Sequence, residues 1–285
     1  MQQYAEHVFI ETSYPGVTLA AIPWSHGLIM IDAPFRADDV RTWRSALLNL
    51  GGGVERLLVS LDAHFDRTLG VRAMDCTTIG HEKMANVFRN RPVTFKSQSS
   101  ETGAEWEQYN GLGNIRWSPP EITFSQKMQI QWDESPLELE YHPGVAAGAI
   151  WAILPEQKIL LAGDAVIVDQ PPFVGSADLP TWLDQLELLL APPLNEYLVI
   201  SGRGGAVTHP QIRTLYERLK SINQHLENLA EQKAPAEETS SLVKLFLAEF
   251  DIPAGRQAQY TQRLHYGLHH YYIRHFQSAG EDIVE

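Results

Sequence analysis

Short apolar runs broken by turn residues fill the start of the chain. Residues 7–12 (HVFIET), 17–24 (VTLAAIPW) and 27–32 (GLIMID) are apolar or β-branched and are separated by Pro-Gly and Ser-His-Gly, which predicts consecutive strands paired as a meander. Asp38 then offers an N-cap. Val40, Trp43, Ala46, Leu47 and Leu50 recur at helical spacing until Gly51, Gly52 and Gly53 end the run, which predicts one amphipathic helix. VERLLVSL at 54–61 predicts a buried strand, and the polar stretch SLDAHFDR begins where it ends. Strand termini are where α/β folds usually place their sites.

The middle of the chain is less periodic. Residues 89–123 are polar and rich in Gly, Pro and Ser, with Trp106, Tyr109 and Trp117 set among them. Two readings stay open: a helix-containing loop that covers something, or an ordinary surface insertion. KMQIQW, LELEYH, GAIWAIL and KILLAGD then return to strand character, with WAILPEQKILLAGD reading as a hairpin that turns at Pro155, Glu156 and Gln157. TWLDQLELLL from 181 predicts a helix leading into YLVISGRGG, a strand followed by a glycine turn. Beyond it the pattern is helical. In PQIRTLYERLKSINQHLENLAEQK the apolar positions 212, 215, 216, 219, 222, 226 and 229 fall three and four apart, so one face must be covered. A break at 234–238 separates this from SLVKLFLAEF and from a His/Tyr-rich helix, RQAQYTQRLHYGLHHYYIRHF, in which His265 and His269 stand four apart as half-buried packing residues.

Composition narrows the function classes. With 285 residues and 44% hydrophobic content the chain can bury a sizeable core as one large domain or one domain with an appendage. A formal charge of −13 argues against nucleic-acid partners, whose affinity comes from neutralised phosphates. The single cysteine, Cys76, rules out an intrachain disulfide and suits a cytoplasmic, reducing setting. The first residues show no signal peptide, and no run approaches a membrane span, so no membrane partner is expected. There is no G-x-S-x-G elbow, and the Gly202–Gly205 turn lacks the Lys and Ser/Thr of a phosphate-binding loop.

The order of these features matters: a meander ending in LIMID, a helix, a strand ending in DAHFDR, then YHPGVAAGAIWAILPEQKILLAGD, and later VISGRGG. It resembles the metallo-β-lactamase fold family of hydrolases over roughly residues 7–208. That resemblance implies an α/β fold, a four-layer αβ/βα sandwich spanning 1–208, with a helical extension at 209–285 packed on it or on a second copy as a homodimer. It also implies a ligand set, in which the family's H-x-H-x-D-H stretch falls on Asp62, His64, Asp66 and Arg67. The next metal His position falls on Val145, the bridging aspartate on Asp164, and the His of the G-H-G turn on Arg203. An arginine cannot bind a metal ion. Asp32, at the end of LIMID, is read as structural.

Two expectations of different class follow from this resemblance. One is a divergent hydrolase with at most one divalent metal (Zn, Mn or Fe) on Asp62, His64 and Asp164, with His142 as a weak further ligand. Asp66 and Asp164 would then serve catalysis on an ester, thioester, lactone or phosphoester. The other is a metal-free relative in which Arg67 and Arg203 replace the second metal, neutralise Asp66 and Asp164, and draw an anionic ligand, or in which the chain is an interaction protein. For His64 the choice is between a ligand and a hydrogen-bonded histidine orienting Asp62 or Asp164.

Overall fold

The computed structural model describes residues 1–96 and 101–277. The chain opens with strands β1 (Gln2–Ala5), β2 (Val8–Glu11), β3 (Leu19–Pro23) and β4 (Gly27–Ile31), which form an antiparallel meander. Helix α1 (Ala37–Leu47) then crosses to β5 (Glu55–Val59), which is parallel to β4. The N-cap of α1 is Arg36, with Asp38 and Asp39 in the first turn, where their charges suit the positive end of the helix dipole. Asp38 is therefore displaced from the expected cap.

Two one-turn helices, α2 (Phe65–Thr68) and α3 (Val71–Met74), lead to β6 (Thr77–His81) and to α4 (Glu82–Asn90). Strands β7 (Thr94–Phe95) and β8 (Ile115–Arg116) pair as a small ribbon, and β9 (Ile122–Phe124) closes a seven-stranded sheet beside β6. Within the 89–123 stretch the described residues hold a single 3₁₀ turn at Trp106–Gln108, rather than an α-helix after residue 90; residues 97–100 of that stretch lie outside the described residues.

The second sheet has six strands: β10 (Lys127–Ile130), β11 (Leu137–Tyr141), β12 (Ile150–Leu154), β13 (Ile159–Gly163), β14 (Leu198–Ser201) and β15 (Gly205–Val207). Helix α5 (Leu179–Leu190) joins β13 to the parallel β14, and α6 (His209–Glu231), α7 (Ser240–Leu247) and α8 (Gln257–Tyr272) follow.

The central strands are apolar on both faces, and period 2 sorts their side chains into layers. In β12, Ile150, Ala152 and Leu154 face a core shared with Ile22, Ile31 and Val59 of the first sheet. Trp151 and Ile153 point the other way, into a cluster built with Trp182, Leu186, Leu215 and Leu219. On the far side Leu19, Ala21, Leu28 and Met30 pack on Val40, Trp43 and Leu47 of α1. Helix, sheet, sheet and helix thus form four layers. The helices after residue 208 complete this: Leu226, Phe246, Leu264, Leu268 and Tyr271 belong to the same cluster as Trp151 and Trp182, so the apolar stripe of α6 is covered within the chain. Among the described residues no helix is long and apolar enough to cross a membrane.

Candidate functional site

At one edge of the sandwich the ends of β4, β5, β13 and β14 bring four aspartates and two arginines together. Asp32 follows β4 with φ 59°, a left-handed conformation uncommon outside glycine, and its Oδ1 accepts from Leu61 N at 2.9 Å. This ties the start of the loop after β5 to the end of β4. His64 caps α2 by accepting from Asp66 N at 3.3 Å, and that one-turn helix turns Arg67 into the interior, where it is fully buried. Asp164 follows Gly163 at the end of β13, and the β14–β15 turn carrying Arg203 rides directly over it. A side chain at Gly202 would put its Cβ 2.5 Å from Gly163 C and 2.6 Å from Asp164 Oδ1, so only glycine permits the two turns to meet.

Every nitrogen of the two guanidiniums except Arg67 Nε donates to a protein acceptor. Arg67 Nη1 donates to Asp32 Oδ2 at 2.5 Å and Nη2 donates to Asp164 Oδ1. Its Nε lies 3.0 Å from Asp62 Oδ1 but does not point its hydrogen there, so that contact is between charges and the N–H has no partner. Arg203 Nη1 donates to Asp66 Oδ2 at 2.7 Å, Nη2 to Asp164 Oδ2 at 2.9 Å and to His64 Nδ1 at 3.1 Å, and Nε to both oxygens of Asp164 at 3.2 Å. Arg203 therefore spans Asp66 and Asp164, whereas Arg67 spans Asp32, Asp62 and Asp164 and does not reach Asp66. Asp66 also accepts from Trp106 N at 2.8 Å and Glu105 N at 3.2 Å, which fastens the 89–123 stretch over the cluster.

Electrostatics follows the geometry. Burial is the largest single influence and opposes ionisation of Asp66 and Asp164, but Arg203 and the hydrogen bonds at both, with Arg67 adding at Asp164, together outweigh it, and both carboxyls titrate below their ordinary value. At Asp32 burial prevails over Arg67, with Asp62 adding repulsion, and the pKa rises to about 7. Asp62 is raised in the same way, by burial first and by Asp164 as a further negative charge. Four carboxyls facing two guanidiniums thus share the strain unevenly. His64 is pushed down to about 4 by burial and by Arg203, so its ring is neutral at pH 7, with Nδ1 unprotonated and accepting.

Aromatic and polar groups close the outside. Phe173 lies with its ring 4.6 Å from the His64 ring, 4.6 Å from Arg203 Cζ and 4.0 Å from Arg263 Cζ. Arg263, on α8 and 1% exposed, donates to Gly103 O at 2.9 Å, to Pro171 O at 3.0 Å and to Gln170 Oε1 at 2.6 Å. It holds the C-terminal helix, the insertion and the loop before α5 together. Sequence reasoning missed Asp32 as a cluster member, Phe173 and Arg263. Only Arg263 left a signal, standing three residues after Tyr260 and five before Leu268 on the buried stripe of α8.

His142 belongs elsewhere. It stacks on Trp151 at 3.5 Å and contacts Gln185 Oε1 at 2.7 Å. Val145 is part of the apolar cluster around Trp182. Asp62 Oδ1, His64 Nδ1 and both oxygens of Asp164 accept from guanidinium or backbone N–H groups, and among the described residues no group of three or more His, Cys, Asp or Glu side chains is arranged to hold a metal ion. These residues do not fit a metal centre. Arg67 and Arg203 are 0% and 4% exposed and turned toward carboxylates, and Arg203 also contributes to the wall of a neighbouring cleft. That cleft is open and polar, of about 620 Å³, and its walls also include Tyr14, Arg36, Asp39, Glu105, Tyr109 and Arg256.

No family model matches the sequence, and no curated protein matches it. Solved structures do. A metallo-beta-lactamase from Pontibacter korlensis superposes with a TM-score of 0.60 at 18% identity, covering 77% of this chain and 97% of that one. A metallo-beta-lactamase family protein from Thermus thermophilus gives 0.62 at 20% identity, covering 95% of this chain and 94% of the other. A stereoselective inverting sec-alkylsulfatase from Pseudomonas sp. gives 0.65 at 14% identity, covering 96% of this chain but 49% of the longer one.

Proposed function

We propose that this chain, built on the metallo-β-lactamase fold, is a non-hydrolytic binding protein in which a guanidinium–carboxylate core takes the place of a metal centre. The observation that carries the reading is the division of Asp62, Asp66 and Asp164 between Arg67 and Arg203. Asp66 and Asp164 accept from buried guanidiniums and Asp62 lies against one, and a metal cation placed beside two guanidiniums would meet their repulsion. Hydrolysis in the manner of the alkylsulfatase or the metallo-beta-lactamases needs an activated water. Here Asp66 and Asp164 are held ionised by arginines, and the neutral His64 has Nδ1 already occupied. The mononuclear alternative on Asp62, His64 and Asp164 would require Arg67 and Arg203 to leave a site sealed by Phe173 and Arg263. The open cleft beside the core is the binding surface, and the lone, half-buried Cys76 suits a cytoplasmic protein.

The test is turnover of an aryl ester, a thioester, a lactone and a phosphodiester, each with and without added Zn²⁺ or Mn²⁺. Rates at the level of buffer are expected throughout. A chelator-sensitive rate that disappears in Asp164→Asn would overturn the reading.

A further inference from the structure

The cleft beside Arg203 carries charges of both signs in an unfinished state. Arg36 and Arg256 are the N-cap residues of α1 and α8, and neither makes a side-chain cap. Their side chains keep 39% and 37% of their surface, in contrast to the buried Arg67 and the nearly buried Arg203, which adds a third guanidinium to the cleft wall. Arg36 Nη1 comes only within 3.7 Å of Asp39 Oδ2, too far for a hydrogen bond, and its Cζ lies 5.1 Å from the centre of the Tyr109 ring. Arg256 uses Nη1 for Glu105 Oε2 at 2.5 Å and Gln259 Oε1 at 2.7 Å, leaving its other nitrogens without an acceptor among the described residues.

The carboxylates are unfinished too. Glu105 Oε1 and Asp39 Oδ2 are buried, and neither has a hydrogen-bond partner. Glu105 is the telling case, because its side chain is 7% exposed and packed beneath Gly16, where an added Cβ would meet Glu105 Cβ at 2.6 Å. Its Oε2 is held by Arg256 and Gln259, so Oε1 is the oxygen left without a donor. An occupant must therefore bring a charged donor for these oxygens and an acceptor for the two guanidiniums. A simple anion would leave the carboxylates unmet. A simple amine would leave the arginines unmet, and a sugar would bring hydroxyls where charges wait.

We infer that the cleft binds a small zwitterion of the amino-acid type, its ammonium taken by the unpartnered oxygens of Glu105 and Asp39 and its carboxylate by Arg36 and Arg256. This rests on the reading of the chain as a binding protein. The cleft, with Tyr14 and Tyr109 in its walls, has the volume of a small-molecule site, at about 620 Å³.

The experiment uses the full chain. Each standard α-amino acid is screened singly by thermal shift, with acetate, methylamine, phosphate and glucose as controls, and hits are titrated calorimetrically. At least one amino acid is expected to raise the melting temperature and bind, while the four controls at equal concentration do not. Affinity should fall roughly tenfold or more in Arg36→Met and in Glu105→Gln, as for loss of a charge-assisted pair. Because Glu105 also holds Arg256, Asp39→Asn serves as a second acidic variant that leaves that pair in place. Absence of binding by every amino acid, binding of acetate, phosphate or glucose with equal strength, or undiminished affinity in Arg36→Met and Asp39→Asn would each overturn the inference. Such a failure leaves the hydrolysis assay untouched, whereas metal-dependent turnover would overturn the binding-protein reading whatever the amino acids do.

Discussion

Replacing Arg203 by methionine keeps the apolar stem and removes the guanidinium. Asp66 then keeps two backbone donors, at 2.8 and 3.2 Å, and Asp164 keeps only Arg67, while both stay buried. Breaking a fully buried pair from one side costs about 3–5 kcal/mol. With an unfolding entropy near 2.1 cal/mol/K per residue, 285 residues give about 0.6 kcal/mol/K, so the melting temperature should fall by about 5–8 °C. Scanning calorimetry of Arg203→Met against the unmutated chain reads this directly. The double variant Arg203→Met/Asp66→Asn should recover part of the loss, since it also removes a carboxylate left without its partner. A single variant that melts within a degree of the parent would refute the reasoning, because a buried ion pair cannot be removed from one side at no cost.

Other outcomes follow from the same geometry. Arg67→Met strands three carboxyls instead of two, so its melting temperature should lie below that of Arg203→Met, or the variant should be recovered only as aggregate in a solubility assay. Asp66 and Asp164 titrate below their ordinary value, so their contribution is present above the unfolded pKa of about 4 and fades as pH falls through the lower folded values. Asp32, raised to about 7, works in the opposite sense: its ionisation penalises the folded state progressively from about pH 4 to 7, so Asp32→Asn should flatten the decline in melting temperature across that window. At Gly103, with φ 69°, a Cβ would fall 2.6 Å from Arg263 N, so Gly103→Ala should loosen the insertion and speed limited proteolysis between α4 and β8.

Much of the frame was legible because its signals are local. The β2–β4 meander, the α1 period and the β12–β13 hairpin each follow from spacing and turn residues within a dozen positions. β6 was missed. Its sequence, TTIGH, is short, contains glycine and is made a strand by parallel pairing with β5 and β9, which no local pattern announces. The cap of α1 was misplaced by two residues because aspartate favours both the cap and the first turn. At the site, the positions of Arg67 and Arg203 within the motif pointed at carboxylates, but which carboxylates depended on how strand ends meet. Asp32 lies 35 residues from Arg67, and only the fold brings LIMID beside DAHFDR. Phe173 and the backbone donors of Glu105 and Trp106 carry no chemical signature at all. They become part of the site through packing.

In this reading two arginines, and not metal ions, hold the aspartates of this edge together. Elemental analysis of untagged protein, purified without chelator and then exposed to excess Zn²⁺, Mn²⁺ or Fe²⁺ and desalted, tests it most directly. Far less than one metal per chain is expected in every case, with a melting temperature that EDTA does not change. One or two equivalents retained, together with a melting temperature lowered by EDTA, would contradict it.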